Sequence, residues 1–133
     1  MKTYISKFTQ IPSTSHAEVM QAARSEYRRI QRLTPRRRPY IRSAYFDRDK
    51  VFIDPFWQHL GQKRLGDQVR RARLFKCAVD LISHSQLAPD TIYDGGELHR
   101  FYGQTKDGFG FRVQIKQISK TGRKDFMSVF PNQ

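Results

Sequence analysis

Along residues 109–116 apolar and polar side chains alternate without a slip: Phe109, Phe111, Val113 and Ile115 against Gly110, Arg112, Gln114 and Lys116. A pleated strand sends successive side chains to opposite faces, so this segment reads as a strand with one face for a core and one for solvent. Lys106-Asp107-Gly108 reads as a turn before it and Thr121-Gly122-Arg123-Lys124 as a turn after it. Segments 97–103 and 125–130 then become its partners, and Pro131 stops the last of them. The result is an antiparallel sheet over 97–131, built as a meander. Phe109, Phe111, Val113 and Ile115 should pack on helices, while Arg112, Gln114 and Lys116 share the other face. Ser128, with Phe126 and Phe130, comes up on one face of the last strand.

Upstream the period changes. Ser15 suits a helix N-cap, with Glu18 completing a capping box, and Val19, Ala22, Ala23, Tyr27 and Ile30 recur at helical spacing. The spacing predicts a helix over 16–33 with Arg24, Arg28, Arg29 and Arg32 on its other face. Pro35 and Pro39 bracket Arg36, Arg37 and Arg38, which excludes a continuing helix and makes 34–42 a basic linker. A short extended stretch fits 51–53. Asp54-Pro55 then reads as an N-cap followed by proline at the first helical position, opening a short helix with Phe56, Trp57 and Leu60 that ends near Gly61. A longer helix is expected over 63–84, with Leu65, Val69, Ala72, Phe75, Val79 and Ile82 as its apolar stripe and its second half buried on more than one side. Residues 1–15 read as a loose N-terminal segment and 83–96 as a loop. The order is that of an α+β fold: a single domain over 1–133, mainly helical at 16–84, with N-terminal helices packed on a C-terminal antiparallel β-sheet.

Charge narrows the partner. The 133 residues carry 25 Lys and Arg against 12 Asp and Glu, a formal net charge of +13. Such a field attracts polyanions. Ten Phe and six Tyr supply a core and surfaces on which unstacked bases can stack. The single cysteine, Cys77, excludes an internal disulfide and a cysteine-based zinc site; within a helix, beside Ala78 and Val79, it reads as a buried inert thiol. No His, Asp and Glu cluster has metal-ligand spacing, so neither metal nor cofactor is expected. No apolar run approaches a membrane span, and Met1–Ile5 lacks the apolar stretch of a signal peptide, so a cytoplasmic protein without a membrane partner is expected, with delivery into a target cell left open.

The exposed sheet face suits one reaction. RNA carries its own nucleophile, the 2′-hydroxyl. Cleavage without a metal requires a base for that hydroxyl, positive charge for the phosphorane, and an acid for the departing 5′-oxygen. Arg112 and Lys116 suit the charge, His99 the proton transfer, and Ser128 the positioning of a phosphate oxygen. Arg100, Tyr102, Lys106 and Gln114 would add substrate contacts. Arg28, Arg29, Arg36, Arg37, Arg38, Arg70, Arg71 and Arg73 would hold substrate backbone. The other histidines read as structural: His59 packed or solvent-facing on its short helix, His84 complementing a helix C-terminus, and His16 at a helix start. The same charge would also serve a non-catalytic RNA- or DNA-binding module, or a domain that docks on an acidic protein.

The segments 98–108 (Leu98-His99-Arg100-Phe101-Tyr102-Gly103-Gln104-Thr105-Lys106-Asp107-Gly108), 111–116 and 126–131 (Phe126-Met127-Ser128-Val129-Phe130-Pro131) resemble the phage- and mobile-element-associated nuclease domains of the barnase–EndoU–colicin–RelE (BECR) superfamily. The resemblance covers about 96–131 and extends more loosely through 51–82. It implies helices preceding a curved antiparallel sheet whose exposed face holds the active site. It also implies metal-independent RNase activity in a toxin or mobile-element effector, opposed in a producing cell by an acidic immunity protein. A His or Lys at the sheet entrance, a basic residue on the central strand and a Ser or Thr on the last strand recur in that superfamily. Carried over, they fall on His99, on Arg112 or Lys116, and on Ser128. Since His99 is the one histidine in the matched region, a two-histidine mechanism would need His59 or His84, or a different acid such as Tyr102 or Lys106.

Overall fold

In a computed structural model, residues 3–34, 36, 38–93 and 95–132 are described. The alternating segment is a strand, as its pattern requires, and it is the centre of a seven-stranded sheet rather than of a three-stranded one. The elements in chain order are β1 (Tyr4–Ile5), α1 (His16–Leu33), β2 (Tyr40–Ser43), β3 (Asp49–Phe52), α2 (Asp54–Leu60), α3 (Leu65–Ala72), α4 (Phe75–His84), β4 (Asp90–Tyr93), β5 (Glu97–Gln104), β6 (Gly110–Gln117) and β7 (Lys124–Pro131).

The sheet runs β1-β5-β6-β7-β3-β2, and β4 pairs with β5 beside β1. β1 is parallel to β5 and β3 is parallel to β7, while the other pairs are antiparallel. The chain is thus α+β, with a strongly curled mixed sheet. The expectation of helices first and a purely antiparallel sheet last is corrected on both counts. Strands β1, β2 and β3 precede or interrupt the helices, and β4 lies within the expected 83–96 loop. These strands have two to four residues each, too few to display a period of two; β1 and β4 are held by pairing to β5, β3 by pairing to β7, and β2 by pairing to β3.

Helix α1 occupies the residues its spacing predicts. The Ser15 hydroxyl caps it by accepting from the Glu18 N–H at 3.4 Å. Glu18 does not return the bond to Ser15; its carboxylate accepts from the Ser13 hydroxyl, and the Ser15 N–H also donates to Ser13 Oγ. The helix expected over 63–84 is two helices. At the break the Arg73 carbonyl accepts the Ile11 N–H, and Arg73 Nε donates to the Ile11 carbonyl. The N-terminal segment thus uses a backbone acceptor that a continuous helix would have kept for itself. Leu74 at the break is fully buried, and α4 beyond it is buried over Cys77–Ile82.

One core joins these elements. Phe101, Phe111, Val113, Ile115, Phe126 and Val129 from the sheet meet Val19, Ile30, Phe56, Phe75, Leu81 and Ile82 from the helices. The Phe56 and Phe126 rings stack at 4.8 Å, which fixes α2 against β7. Gly103 is required by this packing, since a Cβ there would stand 2.5 Å from the Phe111 ring and 2.9 Å from Leu81. Phe109 departs from expectation. It lies just before β6, in the hairpin, and is 57% exposed.

Candidate active site

The geometry of the site follows from strand parity. Pairing of β5 with β6 sets Leu98 opposite Lys116, Arg100 opposite Gln114 and Tyr102 opposite Arg112. Pairing of β6 with β7 sets Arg112 opposite Phe130 and Gln114 opposite Ser128. Two rows therefore cross the open face of three strands: Arg100–Gln114–Ser128 and Tyr102–Arg112–Phe130. The opposite parity, His99, Phe101, Val113 and Ile115, is buried.

A β-bulge completes the face. Between the pairs Gln114↔Ser128 and Ile115↔Phe126, β6 advances one residue and β7 two, which leaves Met127 unpaired. Without the bulge Ser128 would share the core face with Phe126. With it, Phe126 enters the core while Ser128 and Phe130 stand on the open face. The expected grouping of Ser128 with Phe126 is thus corrected, and the extra residue re-aims the hydroxyl.

Helices α2 and α3 pack along β7, and their residues close one side of this face. A cleft of about 400 Å³ results, lined by His59, Lys63, Arg71, Leu98, Gln114, Lys116, Met127, Ser128 and Phe130. Among the described residues of the lining the cations are Lys63, Arg71 and Lys116, the imidazole is His59, and there is no Asp or Glu. Arg71 Nη1 donates to Ser128 Oγ, tying α3 to β7 across the cleft. The Arg71 guanidinium lies 5.4 Å from the Phe130 ring centre, and that of Arg112 lies 4.3 Å from it. The Nε atoms of Arg71, Arg100 and Arg112 are all buried without a protein acceptor. Buried N–H groups of this kind are costly to leave unpaired and favour an anion that can accept from them. Asp67 moderates the charge at the rim, 3.7 Å from Arg70 and 3.5 Å from Arg71. Asp125 stands opposite Lys116 on β7, with Oδ2 3.2 Å from Arg123 and with Oδ1 buried and unpartnered.

His99 is not part of this cleft. Its ring is 6% exposed, on the core face, with the Phe46 ring 4.9 Å away. Thr91 Oγ1 lies 2.9 Å from Nδ1 and Gln117 Oε1 2.9 Å from Nε2. Both ring nitrogens are thus occupied, and Glu97 Oε2 lies 3.5 Å from Nε2. The expectation that His99 stands with Arg112, Lys116 and Ser128 is therefore corrected: on a strand it shares parity with Phe101. The exposed imidazole in the cleft is His59, at the end of α2, a residue whose place on a short helix beside Trp57 and Leu60 carries no signal of a site.

The remaining expected contacts separate. Gln114 lines the cleft, and Arg100 lies beside it on the same face. The Tyr102 hydroxyl donates to Asp90 at 3.0 Å. Lys106 is exposed in the β5–β6 turn, outside the cleft, with its N–H bonded to the Phe8 carbonyl. Arg70 and Arg73 line a second cleft and not the one that Arg71 lines. Arg38 is engaged by Asp54 at 2.9 Å and lies over the Phe52 ring. Arg36 is exposed, with φ 66°. Arg37 lies outside the described residues. Arg28 is exposed and Arg29 pairs with Glu26 at 2.7 Å, both on α1.

Two further groups are structural. Cys77 is fully buried, and burial pushes its thiol up to about 11, so it is held un-ionised as an inert thiol should be. Asp80 is buried on α4. Burial acts to raise its pKa, but bonds from the Lys7 N–H, Ser6, His84 and Tyr4 outweigh that and hold the carboxyl below the ordinary range. Burial and the neighbouring Asp80 charge push the Tyr4 hydroxyl up to about 12. Through Asp80 the N-terminal strand is fastened to α4.

Among the described residues no helix is long and apolar enough to cross a membrane, and no three His, Cys, Asp or Glu side chains are grouped to hold a metal ion. No protein-family model, curated protein or solved structure matches this chain.

Proposed function

We propose that this chain is an endoribonuclease domain that cleaves RNA without a metal, through attack of the substrate's own 2′-hydroxyl on the adjacent phosphate. The observation that carries this reading is the lining of the cleft: an imidazole, three cations and a hydroxyl around a volume of about 400 Å³, with no carboxylate among the described lining residues. Arg71 and Lys116 would stabilise the phosphorane, and Ser128, already bonded to Arg71, would orient a non-bridging oxygen. His59 is the one imidazole in the described lining, the side-chain type most used for proton transfer, so it takes the 2′-hydroxyl proton. An ammonium, Lys63 or Lys116, gives a proton to the departing 5′-oxygen. The products are a 2′,3′-cyclic phosphate and a 5′-hydroxyl. Arg100 and Arg112, on the same face, hold flanking phosphates.

The resemblance to BECR nuclease domains supports the same chemistry on an exposed sheet face. It also supplies the biological setting of the proposal, a toxin or mobile-element effector. An acidic immunity protein would find complementary charge on a chain of net charge +13. The test is incubation of the folded protein with total RNA and tRNA in EDTA. Fragments ending in 2′,3′-cyclic phosphate are expected, and they should disappear with His59→Ala and Arg71→Ala. RNA left intact by folded protein would overturn catalysis, and salt-sensitive binding in that case would identify a non-catalytic RNA-binding module.

A further inference from the structure

Helix α3 has a cleft on each side. The second, of about 390 Å³, is lined by Arg70, Arg73, Asp107, Phe109 and Pro131, with Pro12 among the residues that close it. Neighbouring residues divide between the two clefts: Arg71 lines one and Arg70 the other, and Phe130 lines one and Pro131 the other.

Phe109 is the unexplained feature of this second cleft. It belongs by sequence to the apolar series of β6, yet it is 57% exposed in the hairpin and contributes nothing to the core. Its position is built rather than loose. Its N–H donates to Thr105 Oγ1 at 2.9 Å, and the Thr105 N–H donates to its carbonyl at 2.8 Å. Thr105 is itself buried and donates to Asp107. Arg73 is fixed by its Nε bond to the Ile11 carbonyl, while the Arg70 side chain is 58% exposed, with Asp67 3.7 Å away. An exposed aromatic ring on a hydrogen-bonded backbone, lining the same cleft as two guanidiniums, is the pairing that holds single-stranded nucleic acid, with the base on the ring and the phosphate against the cations. Asp107 in the same lining repels a phosphate from that end, which leaves the space over the ring to a base.

We infer that the second cleft is a nucleotide subsite in which Phe109 stacks an unpaired base of single-stranded RNA and Arg70 and Arg73 receive its phosphate. This inference rests on the RNA-cleavage reading for the direction of the strand, but its test does not require cleavage. Labelled 2′-O-methyl oligonucleotides, which lack the attacking hydroxyl, are titrated against wild-type protein and Phe109→Ala by fluorescence anisotropy. The probes are a dinucleotide, a single-stranded hexamer and a duplex. The hexamer is expected to bind Phe109→Ala about 10-fold more weakly, with Phe109→Trp restoring affinity, while the dinucleotide and the already stacked duplex change little. The exposed ring should leave the melting temperature unchanged. Equal affinity of wild type and Phe109→Ala for the hexamer would overturn the subsite, as would an equal loss for hexamer and duplex. A chain that cleaves no RNA but shows the selective loss keeps the subsite and loses only the nuclease reading.

Discussion

The two faces of β5, β6 and β7 hold the same residue types to opposite ends. On the core face His99 has both ring nitrogens occupied, by Thr91 and Gln117, and packs on Phe46. On the open side His59 is exposed in a cleft with Lys63, Arg71 and Lys116. Phe126 stacks on Phe56 in the core, while Phe130, four residues on, stands in the cleft under two guanidiniums. The difference is one of satisfaction. Every polar atom of the His99 ring has a protein partner, whereas the open side keeps the buried Nε groups of Arg71, Arg100 and Arg112 without one among the described residues. A region with its polar groups paired serves stability. A region with several cationic donors unpaired is arranged for something outside the chain.

The sharpest way to break this comparison is to exchange the roles of the histidines. His59→Ala should lower the rate of RNA cleavage by about 100-fold or more, with an unchanged melting temperature, as removal of a proton-transfer group requires. His99→Ala should do the reverse. It leaves Thr91 and Gln117 facing a void and should cost about 1–3 kcal/mol in urea denaturation, with the rate per folded molecule nearly preserved. A cleavage defect in folded His99→Ala equal to that of His59→Ala would erase the distinction.

The paired phenylalanines give the next largest effect. Phe126→Ala should cost about 3–5 kcal/mol of stability by opening a cavity against Phe56. Phe130→Ala should cost much less, and should instead weaken RNA binding by freeing Arg71 and Arg112 from the ring. Denaturation curves and anisotropy titrations read the two effects separately.

A smaller effect concerns the fastening of the N-terminal strand. The Asp80 carboxyl is held below its ordinary pKa in the folded chain, so its stabilising contribution is present above the ordinary carboxylate pKa of about 3.9 and is lost as pH falls through the lowered folded value. Asp80→Asn should cost about 1–3 kcal/mol at neutral pH and should flatten the loss of stability in acid. Melting temperatures of the two proteins from pH 7 down to pH 3 provide the check.

How much of this was legible depends on where each signal resides. The alternation of 110–117 and the spacing of Val19, Ala23 and Ile30 are properties of single segments, so β6 and α1 could be read directly. Strands β1 to β4 owe their existence to edges supplied by β5, β7 and one another, and so carry no period of their own. The break at Arg73 is made by Ile11, some 60 positions away in sequence, and no local pattern reports it. The site divides in the same way. Arg112, Gln114 and Lys116 share a face because they share a strand. Ser128 joins them only through the bulge at Met127, and Arg71 and His59 only through packing of α2 and α3 on β7. The burial of His99 was the readable part, since parity with Phe101 already set it on the apolar side.

The central claim is that the cleft between the open sheet face and α2–α3 receives the phosphodiester. A crystal structure of the chain with a 2′-O-methyl dinucleotide tests it most directly. The account predicts the phosphate within hydrogen-bond reach of Arg71, Lys116 and Ser128, with the His59 ring beside the blocked 2′-oxygen. A dinucleotide seated on the arginines of α1 instead, with Arg71 still bonded to Ser128 alone, would contradict it.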